Sequence, residues 1–414
     1  MRKGSLTAAN LLFGSFLASV FLIVSPLFLY DDYWSVYDPV VSRYSAVMRG
    51  ISVLLLFATL LLTTFFRARF IERNHLLVFS FLLFLLLIHS YFSIDVTGSA
   101  VQSTAFVWIF LYIFTLSRVF VYEGCVNNFS YVSILILCMC FLLIALLGLE
   151  GRRVGGVQAN VFAKLSLGAL FFSAFFKRAW FRYLSMLACF VFILVVNSRG
   201  AFFVATVFIV LVQVAYSVSQ GRMRNYQVVL FFFVVAAVVS AAMLPTFQEY
   251  LFDFVNTSES SRGLGSSVES RQHYNSFALH QIGENPIVGY GFQTRTGVDA
   301  LDIVGASAHN GFLNLFLDLG LIVGISILAI YLYFVYVGFS IVKKVKSPER
   351  KRIIFSCASF LVCYLALAVF EPVYINIGSP ISWGVFVAIS LIGVERSNVR
   401  SNGIYSMRSL PEGE

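Results

Sequence analysis

Charge is what this sequence has least of. Only 12% of its 414 residues are Asp, Glu, Lys or Arg, while 59% are hydrophobic. That balance lies far outside the range of soluble domains and excludes a water-soluble fold. Cysteine is sparse and unpatterned. Cys125, Cys138, Cys140, Cys189, Cys357 and Cys363 sit in apolar runs or a short polar connection without metal-type spacing, so neither disulfides nor a metal site is expected. No glycine-rich phosphate loop of the nucleotide type is present, which argues against ATP as an energy source. No acidic pair suits a cation either: Asp299 and Asp302 are isolated, and Asp31 and Asp32 lie in a short aromatic segment. No cofactor is expected. The formal charge of +9 is dispersed in short clusters between apolar runs, so it points to membrane topology and not to nucleic acid. An internal repeat of the kind transporters carry is also missing.

What the sequence does have is apolar runs of spanning length, each about 20 residues. They fall near 11–30, 44–66, 75–94, 101–121, 129–149, 159–176, 180–196, 201–219, 226–244, 310–340, 353–377 and 381–394. The expected fold is therefore all-α, a polytopic membrane protein of about 12 transmembrane helices. The first run follows Arg2 and Lys3 as a signal peptide would, but Val24-Ser25-Pro26 is a poor cleavage site, so it is expected to stay as helix one.

Alternating sides from a cytoplasmic N-terminus puts 20 of the 29 basic residues inside and eight outside, with Lys164 near the outer end of the sixth run. This asymmetry follows the positive-inside rule and supports both count and orientation. All eight outer residues are arginines: Arg43, Arg49, Arg152, Arg153, Arg199, Arg262, Arg271 and Arg295. Guanidinium matches phosphate oxygens in a bidentate fork that ammonium does not offer.

One connection, Pro245 to Ala308, is too long for a turn and is expected to carry structure. Ser266 and Glu269 have capping-box spacing, and Tyr274, Phe277, Ala278 and Ile282 recur at helical intervals up to Gly283. An amphipathic outer helix bearing Arg271 and Tyr274 on one face is predicted. The glycines of Gly289-Tyr290-Gly291 then permit a tight turn.

Three residues place donor-rich side chains at the outer ends of spans: Arg199 in Asn197-Ser198-Arg199-Gly200, Arg271 on the loop helix, and His309 in Ser307-Ala308-His309-Asn310-Gly311. An imidazole there accepts or donates a proton near neutral pH. Each has a plainer reading, as a snorkelling arginine, an exposed loop arginine and an interfacial histidine. Arg152, Arg153 and Asn160 form a further outer basic element that reads equally well as a helix cap. Two acids fall within the runs, Asp318 and Glu371. Intramembrane carboxylates are costly and are usually paired or functional. Asp318 reads as a structural partner, and Glu371, nearer the outer end, as within reach of the site.

These pieces, in this order over roughly residues 150 to 325, resemble the O-antigen ligase and O-antigen polymerase superfamily of membrane glycosyltransferases. The resemblance rests on Gly151-Arg152-Arg153 with Asn160, Ser198-Arg199-Gly200-Ala201, Arg271 ahead of Glu284-Asn285-Pro286-Ile287-Val288-Gly289-Tyr290-Gly291-Phe292, and His309-Asn310-Gly311-Phe312-Leu313 leading to Gly320-Leu321-Ile322-Val323-Gly324. It implies a GT-C-like, metal-independent enzyme in the bacterial cytoplasmic membrane with its site facing the periplasm. Residues 1–244 would hold helices one to nine, 245–308 a large periplasmic loop, 309–394 the last three helices and 395–414 a cytoplasmic tail. Arg199 and Arg271 would hold the diphosphate of an undecaprenyl-diphosphate-linked glycan, and His309 would act on the acceptor hydroxyl. Arg152, Arg153, Asn160, Tyr274, Asn310 and Glu371 are the expected substrate contacts. Family members often carry Glu where this chain has Asp318, which leaves that acid's role open. The leading expectation is an O-antigen ligase acting on a lipid A-core acceptor, with a repeat-unit polymerase as the alternative and a lipid-linked sugar flippase as a more distant one.

Overall fold

A computed structural model of the chain describes residues 3–29, 39–66, 73–150, 153–154, 157–196, 198–219, 264–292, 310–371, 373 and 379–408. In chain order the helices are α1 (Lys3–Val24), α2 (Pro39–Phe66), α3 (Arg73–Tyr91), α4 (Val96–Glu123), α5 (Ser130–Leu147), α6 (Ala159–Ser173), α7 (Ala179–Val195) and α8 (Arg199–Ser219). They continue with α9 (Leu264–Glu284), α10 (Gly311–Val342), α11 (Pro348–Phe370) and α12 (Pro380–Arg408). A small antiparallel ribbon, β1 (Leu149–Glu150), β2 (Arg153–Val154) and β3 (Val157–Gln158), joins α5 to α6.

Among the described residues, six segments are long and apolar enough to cross a membrane: Ala8–Leu27, Ala46–Thr63, Val96–Glu123, Val126–Leu146, Gly311–Val342 and Pro348–Val369. Four shorter helices, Leu77–Tyr91, Val161–Ser173, Ala179–Val195 and Gly200–Ala215, are apolar as well. Residues 226–244, read from the sequence as the ninth span, lie outside the described residues. The surface is that of a lipid-facing protein. Leu54, Val78, Phe81 and Ile322 each expose about 60% or more of their area, a distribution that water would not tolerate over so many helices. The chain is a polytopic helical membrane protein.

The helix boundaries follow local chemistry. Asp95 caps α4 by accepting the Gly98 N–H at 2.8 Å, and Gly124 ends that helix in the left-handed region. Ser347 caps α11 ahead of Pro348, the position where a missing N–H costs nothing. Inside, phenylalanine does much of the filling: Phe171 stacks on Phe360 with ring centroids 4.1 Å apart, and fully buried Phe129 is ringed by Phe13, Phe16, Phe120, Phe172 and Phe175. The first half of α12 is the most enclosed stretch, with Ile381 to Leu391 buried against α4, α6 and α11. The helix then continues to Arg408, past the expected boundary at 394.

Two departures from uniform helices shape the site. α10 is broken at Gly320, whose φ of 69° and ψ of 175° are not helical. α11 stops at Phe370, so Glu371, read from the sequence as lying within the span, is instead an extended residue beyond its end (φ −129°, ψ 150°).

Candidate functional site at the meeting of four helix ends

The starts of α6, α8 and α10 and the end of α11 meet at one end of the bundle, around Glu371. Its side chain is 8% exposed, and its Oε2 lies 3.8 Å from the Lys164 Nζ on α6. A methyl group placed on Gly200, the second residue of α8, would lie 3.9 Å from the Glu371 Cγ and Oε1. The opening turn of α8, which begins with Arg199, therefore abuts this carboxylate. At α10, a side chain on Gly311 would overlap the Val373 carbonyl, so only glycine lets the two backbones approach there. Asn310 secures the junction: its Oδ1 accepts the N–H groups of Phe312 at 2.9 Å and Leu313 at 3.1 Å, and its Nδ2 donates to the Val369 carbonyl at 3.3 Å.

This arrangement has a definite electrostatic character. Three helix N-termini carry partial positive charge where they meet, and Lys164 adds a full one. Glu371 offsets part of that charge and leaves an end suited to an anionic group.

The expected site residues distribute as follows. Arg199 is the first residue of α8, Arg271 lies a third of the way along α9, Arg153 forms part of β2 and Asn160 is the second residue of α6; these positions are described by their backbone alone. His309 and Arg152 lie outside the described residues. In sequence His309 directly precedes Asn310. Asn160 stands one helical turn before Lys164, on the same face of α6. Tyr274 is half-buried on α9, one turn before buried Ala278 and two before buried Ile282. That face of α9 packs on Leu313, Phe316 and Leu317 of α10.

Thus the backbone of Arg199, Asn310 and Glu371 come together, and α9 is joined to them through α10. Lys164 was not counted among the functional candidates. The signal for it was available: two oppositely charged residues at the same end of apolar runs are expected to pair. Asp318, expected to be a structural partner, is fully buried, and its main-chain carbonyl accepts the Gly291 N–H at 2.8 Å.

Beside the junction lies a narrow apolar groove between α10 and α11, lined by Gly311, Leu315 and Tyr331 on one side and by Tyr364, Ala368 and Val373 on the other. Among the described residues no group of three or more His, Cys, Asp or Glu side chains is placed to hold a metal ion.

A comparison with curated proteins found no match. Residues 184–328, from α7 into α10, match the family model described as O-antigen ligase. This stretch carries Arg199, Arg271 and Asn310 and ends beyond the break at Gly320. The family match and the order of the motifs agree: this stretch of the chain is similar to the O-antigen ligase family.

Proposed function

We propose that the protein is an O-antigen ligase, moving a preassembled glycan from undecaprenyl diphosphate to a lipid A-core hydroxyl at the periplasmic face of the inner membrane. The observation that carries this reading is the junction itself: the helix that begins with Arg199 and the helix that follows His309 both start against the end of α11, at Glu371 and at Val369 and Val373, within or beside the stretch that matches the family.

In the proposed reaction the acceptor oxygen attacks the anomeric carbon, a new C–O bond forms, and the bond to the diphosphate oxygen breaks with its electron pair leaving on that oxygen. Single displacement inverts the anomeric centre. Negative charge grows on the leaving group, so stabilisation there lowers the barrier most. Arg199 and Arg271 supply bidentate donors for it, and the helix N-termini add to the field. His309 accepts the proton that the hydroxyl gives up. An apolar groove between α10 and α11 borders the junction, and apolar walls of this kind suit the isoprenoid tail of the donor.

The deciding experiment is transfer by purified protein from a defined undecaprenyl-diphosphate glycan to a lipid A-core acceptor, with and without chelator. Chelator-insensitive transfer is expected. If the product were instead an extended lipid-linked glycan, the protein would be the superfamily's repeat-unit polymerase. Translocation of the donor across liposomes without any transfer would refute the enzyme reading.

A further inference from the structure

The turn between α9 and the break in α10 is held by a set of bonds from a third element, the corner between α3 and α4. α10 and the turn exchange backbone partners. Tyr290 N–H donates to the Leu317 carbonyl at 2.9 Å and Gly291 N–H to the Asp318 carbonyl at 2.8 Å, while Leu321 N–H donates back to the Pro286 carbonyl at 2.7 Å. A helix interrupted inside an apolar bundle exposes backbone groups that have to be satisfied by other protein groups, and this exchange satisfies three of them.

The far side of the turn is then gripped by side chains of the corner. His89, 6% exposed near the end of α3, places its Nε2 2.7 Å from the Val288 carbonyl. A carbonyl only accepts, so this nitrogen carries the proton. Ser93 donates from its Oγ to the Tyr290 carbonyl at 3.1 Å, and Ile94 N–H donates to the same oxygen at 3.2 Å. Ser99 accepts the Phe292 N–H at 3.1 Å while donating to Ser90 at 3.0 Å. Phe292 packs edge-on against Phe106 of α4.

We propose that His89, with Ser93 and Ser99, is a positioning residue for the transfer reaction. By fixing the Val288–Phe292 turn on the α10 break, it sets α9, which carries Arg271, against the α10 segment that starts beside His309. The inference rests on the function proposed above, and its test keeps the two apart. Hydrogen exchange at the Gly289–Phe292 amides and steady-state transfer kinetics are measured on full-length protein. In His89→Ala these amides exchange at least about tenfold faster, because the local opening that exposes them becomes easier. A peptide from Ile381–Leu391 of α12 keeps its wild-type exchange. In the same variant kcat falls about tenfold with KM for the donor near wild type, and His89→Gln, which keeps a side-chain N–H donor, recovers most of both. Should His89→Ala fail to fold, Ser99→Ala makes the same test on Phe292. Unchanged exchange in the variant overturns the clamp, and faster exchange with unaltered kcat overturns the positioning role. Absence of transfer by the wild-type protein counts against the proposed function, and exchange still decides the clamp.

Discussion

At the scale of single residues, the Lys164–Glu371 pair sets the terms of the site. Glu371 is nearly enclosed, and Lys164 retains about a quarter of its side-chain exposure, at 3.8 Å separation. Removing one partner of such a pair strands a charge that has already lost its water, while removing both is far milder. Lys164→Met is therefore expected to destabilise the purified protein by about 3 kcal/mol, and Lys164→Met with Glu371→Gln by much less. Thermal unfolding in detergent checks this; equal losses in the single and double variants would show that the charges are not coupled. The proposed phosphate role of Arg271 leads to a different measurement. Arg271→Lys keeps the charge but loses the planar fork, so transfer should fall by about tenfold or more with stability unchanged. Near-normal transfer would reduce Arg271 to a simple charge. Glu371 was legible in the sequence because an acid in an apolar run is costly. Its partner carried a signal too, a lysine at the same end of an apolar run, but that α6 and α11 would pack together is decided by helices far apart in the chain and was not legible.

At the scale of elements, the break in α10 and the turn that fills it form one unit. Gly289 and Gly320 both have φ near 70°, and a Cβ on either would overlap the backbone of the other's turn. Gly289→Ala and Gly320→Ala are each expected to cost at least about 2 kcal/mol, since a strained left-handed residue and a backbone overlap occur together. Their effects should combine to less than the sum, because both report on one contact; full additivity in thermal unfolding would show the two sites to be independent. Sequence reading located most helices well. The loop helix expected from Ser266 to Ile282 is present as α9, Leu264–Glu284, because its apolar spacing is a local signal; it starts ahead of Ser266, so the expected capping box does not mark its beginning. The break at Gly320 was hidden, as Leu315 to Ile330 is an almost unbroken apolar run and hydropathy carries no information on φ. The β ribbon at 149–158 was missed for a similar reason: strands of two residues are too short to show alternation.

At the scale of the whole molecule, the bundle has two chemically different ends. Opposite the Glu371 junction, arginines tie helix ends together. Arg350 donates to the Val121 carbonyl at 3.1 Å and lies 3.7 Å from Glu395, Arg182 reaches the Phe176 carbonyl at 3.3 Å, and Arg352 donates to the Ala174 carbonyl. Asn127 adds a bond to Glu349 at 2.6 Å. Guanidiniums at helix C-termini complement the helix dipole, so this end is a basic plate as well as a set of caps. It is also the end that the positive-inside count assigns to the cytoplasm, which puts the junction on the other side. The assignment predicts a simple asymmetry. Ser276 on α9 and Lys346 between α10 and α11 are both exposed, and the assignment puts them on opposite sides. In a Cys125→Ala, Cys138→Ala background, a membrane-impermeant maleimide applied to intact spheroplasts should label Ser276→Cys and leave Lys346→Cys unlabelled until the membrane is opened. Labelling of Lys346→Cys in intact cells would turn the molecule over. An enzyme whose donor glycan is displayed outside the cytoplasm would then face the wrong compartment, and the proposed ligase reaction would fail with it, whatever the geometry of its arginines.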